Sequence, residues 1–462
     1  MENVAMPVEI NAARTGKRVL ARVAPAIVRD PVNGLADLGR RAGGRIVRLN
    51  LGVLRPYLVT HPDHVQHVMR DNWTNYSRQG MFWQPLGRLL GDSILGDGPG
   101  WEASRRILQP LFTPKYVAAL AGTIAATVDA RIEELNARAR SGDPMDAGRT
   151  MGAIVNQSVV RVLFGDRISL RDGERLTSAY HTADAAVFSR LLLPFMPYRV
   201  PMPGDRAFKT AVATIDEIIF PLIRQVRREP DDGSDVVSAL CRSREADGTP
   251  REDRRVRDDL VSIYAAASVT TAATLTWTWP LLEAHPEVAA KVYAEIDQVV
   301  GDGPALPAHV PELRYTKMVL QEVMRLYPSG WLLPRTVVES ETLGGTRLKA
   351  GSMVLISPYV THRLEEVWDR PLEFDPERFS PDRGERRHRY AYFPFGGGAH
   401  QCVGKHLFYM DAPLIMAAIL SRFRPAALGG RTPAPAATAL LRPRGRVGLR
   451  LLPAKCPGPG TR

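Results

Sequence analysis

Two spacings of apolar residues divide the chain. Near its start, IVRLNLG at 46–52 and PYLVT at 56–60 are short β-favouring runs with a break between them, which predicts a hairpin in a small sheet. Helical spacing then takes over. Thr113-Pro114 reads as an N-cap followed by proline at the first helical position, opening a helix that runs to about Arg140. Helices over 151–164, 206–228, 258–284 and 287–300 follow, the last two separated at His285-Pro286. Alternation returns in PRTVVESETLGGTRLKAGSMVLIS around Gly344-Gly345, so 331–358 is expected to form a second sheet. An irregular, proline-punctuated stretch over 371–394 precedes a further helix at 403–422. The pattern predicts a mainly α chain with small β-sheets, of α+β class. Residues 1–40 are expected to form an extension without a membrane anchor, 41–452 a single domain and 453–462 a flexible tail.

One apolar stretch needs a membrane test. Residues 260–282, LVSIYAAASVTTAATLTWTWPLL, carry no charge and are long enough to span a bilayer. Serines, threonines and Pro280 make an internal helix of a large protein the better reading. Composition agrees, with 45% hydrophobic and 24% charged residues, as in a globular protein. The net charge of +12 is spread along the chain without a basic tail, which favours a solvated basic surface over nucleic-acid binding and suits an acidic protein partner. Cys241, Cys402 and Cys456 are too few and scattered for a disulfide framework, so a reducing, cytoplasmic setting and a monomer are expected.

Cys402 lies in FGGGAHQCVG, 395–404, behind a glycine run and ahead of the predicted helix. Free cysteine is usually a small buried hydrophobe. Here the glycines permit positive φ and close backbone approach, and a helix N-terminus stabilises thiolate, the metal-binding form. Zinc fails on ligand count, because no CxxC pair exists. A cysteine protease would need a partnered histidine that the pattern does not specify. A single thiolate in a glycine-rich cradle fits the axial ligand of a haem iron.

FGGGAHQCVG resembles, at every specified position, the haem-binding loop of the cytochrome P450 family, through Phe395, Gly396, Gly398, His400, Cys402 and Gly404. The resemblance extends over about residues 40 to 450. It implies Cys402 as the axial ligand of haem b, with Phe395 and Gly404 against the cofactor. It also implies a structural triad of Glu322 and Arg325 (QEVMRLYP) with Arg378 (PERF), and propionate contacts from Trp101, Arg105, Arg335 and His400. Tyr76 and Arg78 lie in a plausible upstream position but are given no role. On the distal helix, Ala266-Ala267-Ser268-Val269-Thr270-Thr271 aligns with the family's oxygen-activating run. Thr270 keeps the alcohol, with Thr271 beside it. Val269 replaces the usual acid and Ala267 the usual glycine. A hydroxyl cannot shuttle protons as a carboxylate does, so Ser268, water, another residue or the substrate itself has to stand in.

Apolar pocket walls are expected from Phe82, Trp83, Ala266, Ala267, Trp331, Leu332, Leu333 and Leu440, with a lid from 188–204. The implied activity is oxidation of a mainly hydrophobic small molecule by O2. Its electrons come from NAD(P)H through a separate ferredoxin and reductase, docking on Arg105 or Arg106, Lys405 and the cluster Arg386, Arg387 and Arg389. An isomerase, dehydratase or peroxide-dependent enzyme, or a haem sensor, shares these features.

Overall fold

A computed structural model of the chain describes residues 30–51, 54–192, 196–229, 235–245, 247–384 and 387–454. Arg386, Cys456, most of the expected extension and tail, and part of the expected lid lie outside these residues. Contacts separate two compact units. The first takes residues up to Gln79, Met318–Cys402 and Pro433–Gly445; the second takes Gly80–Lys317, Val403–Thr432 and residues from Arg446.

The first unit is built on a five-stranded sheet, in the order Val47–Arg48, Tyr57–Val59, Met353–Ile356, Leu333–Val337, Tyr76–Ser77. The expected hairpin is its edge pair, with Val47 opposite Leu58. The two sheets expected at 46–60 and 331–358 are therefore one, joined by the parallel pairing of Tyr57 with Val354. Parallel strands need a crossover connection, and nothing local in either run encodes such a partner. Only the turn at Gly344-Gly345 makes a separate two-stranded ribbon, Glu341–Leu343 with Thr346–Leu348.

Strand alternation sends successive side chains to opposite faces, and both faces of the sheet are buried. Leu58 and Leu355 pack with Val32 and Leu35 of the helix Pro31–Ala42. Tyr57, Val59, Val354 and Ile356 pack with Met69, Tyr390 and Phe393. This second core fixes the entry to the Cys402 loop.

In the second unit, the Thr113 hydroxyl accepts from the Tyr116 N–H, and the helix Pro114–Glu133 opens as its sequence predicts. It ends at Glu133, and a separate short helix, Leu135–Ser141, completes the predicted span. Ala147–Phe164, Leu170–Leu192 and Asp205–Arg228 follow. Leu170–Leu192 is a full helix that the periodicity reading passed over.

The uncharged stretch lies in a long helix, Asp253–Ala284, which continues through Pro280. It begins five residues before the predicted start because its charges are buried in pairs. Arg257 donates to Asp216 at 2.7 Å and to Asp258 at 2.9 Å, while Arg251 and Ser104 donate to Asp259 at 2.8 and 2.9 Å. Among the described residues it is the one single helix long and apolar enough to cross a membrane, and 83% of its most apolar window is buried within the protein. A three-stranded antiparallel sheet, Met145–Asp146, Gly448–Pro453 and Phe423–Ala427, closes this unit. The helix Lys405–Leu420 stands where a helix was expected after Cys402.

Candidate functional site

Within the first unit, the stretch from Phe393 to Cys402 is tied to itself by backbone bonds. Gly396 N–H donates to the Phe393 carbonyl and Cys402 N–H to the Phe395 carbonyl, both at 2.9 Å. Gly398 has φ +64°, and a Cβ there would lie 1.7 Å from the Met69 carbonyl oxygen. At Gly397 a Cβ would strike the Tyr390 ring at 2.4 Å. These glycines thus give clearance towards the protein's own Met69 and Tyr390, a different use from wrapping a ligand. Gly404, at φ −76°, has an ordinary backbone and caps Lys405–Leu420. Cys402 itself is exposed, so the loop holds its backbone down and presents its thiol outward.

Cationic groups gather around this loop. His400 is buried and stacks edge-on against Trp73, ring centroids 5.4 Å apart. Arg78 donates to the His400 carbonyl at 3.2 Å. Antiparallel pairing of Ser77 with Thr336 brings Arg78, one residue on, opposite Arg335, which is buried and donates to the Pro334 carbonyl. Arg78 was given no role from sequence; the short strand Tyr76–Ser77 ahead of it was the available signal. An outward thiol with two arginines and a histidine suits a flat, anionic, iron-bearing ligand such as haem.

Behind the loop, Glu322 and Arg325 of the helix Arg314–Leu326 are fully buried and share two bonds, 2.6 and 2.8 Å. Arg325 also donates to the carbonyls of His362, Pro371 and Glu373. Glu322 accepts from the Asp375 N–H and lies 3.4 Å from Arg378, which reaches the Asp369 and Arg370 carbonyls. The predicted triad is thereby brought together, and burial lowers the pKa of Arg378.

Sequence reading missed His362. Its Nε2 accepts from the Phe393 N–H at 3.0 Å, so Nδ1 carries the proton and faces the Arg325 carbonyl at 3.3 Å. It couples the triad to the start of the cysteine loop. Burial, aided by the Arg325 charge, holds its pKa well below the usual histidine value. A lone histidine in THRLEE carries no spacing signal.

Also in this unit, Trp331 Nε1–H donates to the Thr438 carbonyl at 3.3 Å, which brings the 331–333 segment to the turn that ends in Leu440. The docking cluster needs correction at Arg387. Its guanidinium lies over the Trp368 and Phe379 rings and donates to the Arg378 and Arg383 carbonyls, leaving Arg389 as the exposed member among the described residues.

In the second unit, Trp101 and Arg105 lie one turn apart on the helix Pro99–Leu108. Trp101 is buried, and Arg105 donates to Gln109 at 3.0 Å. Phe82 and Trp83 stack edge-to-face, centroids 6.0 Å apart. Along the long helix, every residue from Val256 to Leu282 is buried except Ala266, Ala267, Thr270 and Ala272. The first three share a face, so the helix opens where the sequence placed a distal surface. Thr270 donates to the Ala266 carbonyl at 2.7 Å. Thr271 and Val269 are buried. Ser268 is buried too, with no partner for its hydroxyl among the described residues, and two residues on a helix point nearly oppositely. Ser268 therefore does not share the face of Thr270, and the role of stand-in acid does not suit it.

The family profile described as Cytochrome P450 matches residues 30–449. The chain is 33% identical over 410 residues to cyclooctat-9-en-7-ol 5-monooxygenase of Streptomyces melanosporofaciens, covering 88% of each chain. It is 28% identical over 433 residues to pentalenene oxygenase of Streptomyces avermitilis, covering 94% of this chain and 95% of that one. Among solved structures, the heme domain of cytochrome P450DA matches with a TM-score of 0.81 at 21% identity, over 92% of this chain and 93% of that one.

Proposed function

Because the chain belongs to the cytochrome P450 family, we propose that it is a haem-thiolate monooxygenase acting on a mainly hydrophobic small molecule of natural-product metabolism. The observation that carries the reading is Cys402, exposed at the end of a loop whose backbone is internally bonded and flanked by Arg78, Arg335 and His400. Cys402, Arg78, Arg335 and His400 would hold haem b, which would supply the site for O2 activation. Trp101 and Arg105 are assigned to its carboxylates by the family resemblance. Glu322, Arg325, Arg378 and His362 fix the loop and do no chemistry. Ala266, Ala267 and Thr270 form the surface that faces O2 and substrate, with Thr270 as the polar group. Phe82, Trp83, Trp331, Leu332, Leu333 and Leu440 are assigned to apolar walls.

Two relatives are named for oxidising cyclooctat-9-en-7-ol and pentalenene, and the small, uncharged side chains of the distal stripe suit a hydrocarbon-rich substrate of that kind. Two electrons come from NAD(P)H through a separate ferredoxin and reductase in the cytoplasm. The test is the carbon-monoxide difference spectrum of the reduced, haem-loaded protein, followed by spectral titration with terpene hydrocarbons and alcohols. A thiolate-type band that Cys402→Ser abolishes is expected. Its absence from correctly loaded wild-type protein overturns the assignment.

Val269 favours a second reading, in which peroxide replaces O2 and reductant, because the distal run has no carboxylate to deliver protons. Turnover with hydrogen peroxide alone, and none with O2 and a ferredoxin system, would select it.

A further inference from the structure

The second unit contains a cavity of about 1120 Å³ that none of the residues assigned to the haem or distal surface lines. It lies between the helices Ala147–Phe164 and Leu170–Leu192, reaches the start of Asp205–Arg228, and exceeds the usual range of roughly 300–1,000 Å³ for small-molecule pockets. Its walls are mostly apolar, including Val160, Ile168, Ala185 and Ala207.

Two side chains in the wall are unusual. Asn156 is 8% exposed, and its side chain lines the cavity. The neighbouring Gln157 also lines it, with a buried Oε1 that no described group satisfies. A buried amide oxygen without a partner, as at Gln157, is rare in native proteins and calls for a ligand or water. An amide offers both a donor and an acceptor, which matches a hydroxyl or carbonyl group. The arginines in the wall do not invite an anion, because Arg131 is paired with Glu134 and Arg161 with Asp166.

We propose that this cavity is a second ligand site, taking a neutral, largely apolar molecule that carries a hydroxyl or carbonyl group and is held by Asn156 and Gln157. The site stands independently of the haem reading, since none of its lining residues is assigned to the haem or the distal surface.

The experiment is calorimetric titration of the haem-loaded protein with nerolidol, a neutral alcohol on an acyclic apolar chain. Wild type is compared with Asn156→Leu, which keeps the volume and removes the amide, and Ala185→Trp, which fills the cavity from an exposed helix position. Ala266→Phe in the distal stripe is the control for binding at the haem. Variants enter the comparison once their circular dichroism and haem spectra match wild type. The expected result is a saturable event that leaves the haem spectrum unshifted, distinct from any binding at the haem, whose Kd rises about tenfold or more in both cavity variants and stays within threefold in Ala266→Phe. No saturable binding to wild type, a smaller rise in either cavity variant, or loss of binding in Ala266→Phe overturns the proposal. Failure of this site leaves the carbon-monoxide spectrum untouched, so the two readings fall separately.

Discussion

Thr270 is the one polar side chain in the exposed stripe of the long helix, and its hydroxyl is turned back onto the Ala266 carbonyl. A threonine bonded in this way presents its oxygen as an acceptor, so it can orient water or bound substrate before it gives up a proton. Thr270→Val is expected to lower product formed per electron pair by about tenfold and raise peroxide release. Thr270→Ser should restore most of the coupling, and the melting temperature should hardly move. Product and peroxide yields in the same assay check it. Val269→Glu asks the complementary question. Val269 is 9% exposed, so a carboxyl there would be partly desolvated with a raised pKa, as a proton donor near neutrality requires. A higher ratio of product to peroxide is expected, and an unchanged ratio would show that the missing acid does not limit turnover.

At the scale of elements, the buried network that joins the Arg314–Leu326 helix to the cysteine loop controls stability. Glu322→Ala leaves Arg325 and Arg378 buried without their carboxylate, which costs about 3–5 kcal/mol. Haem-loaded protein recovered per cell should fall sharply, as measured by the carbon-monoxide spectrum. Two buried groups set opposite pH limits. His362 has a folded pKa below its unfolded value near 6.5, so its neutral form stabilises the fold above that value and stability is lost as pH falls beneath it. Asp411, to which Ser158 donates at 2.9 Å, is pushed up to about 7 by burial. Its protonated form stabilises the fold at low pH, and that contribution drains away as pH rises from about 4 through 7. Melting curves should show His362→Gln flattening the acid limb and Asp411→Asn the neutral one. Much of the fold was legible where the signal is local, as in the Thr113-Pro114 cap, the Gly344-Gly345 turn and the cysteine loop. The long helix was misjudged at its start because Arg257 looks like a surface residue until its partner Asp216, far off in sequence, is known. His362 stayed invisible for the same reason, its partners being backbone groups of Arg325 and Phe393.

For the whole molecule, the net charge of +12 bears on how electrons arrive. Opposite charge accelerates encounter chiefly through the association rate, and salt screens it. Reduction by an acidic ferredoxin should slow as ionic strength rises. Arg389→Glu and Lys405→Glu should each weaken that dependence, whereas Arg387, stacked on Trp368, should affect folding instead. Stopped-flow reduction across a salt series measures this, and a salt-insensitive rate would argue against electrostatic docking. The parallel pairing of Tyr57–Val59 with Met353–Ile356 has a consequence for synthesis. The strand leaves the ribosome about 300 residues ahead of its neighbour, a wait of roughly 15–60 s at bacterial elongation rates. Until then the hairpin exposes an open edge to other nascent chains. The proposed ligand Cys402 emerges later still, so capture of the cofactor through it would wait until residue 402 has been made. Cultures making this enzyme should therefore gain more from slow, cool expression than from a stronger promoter.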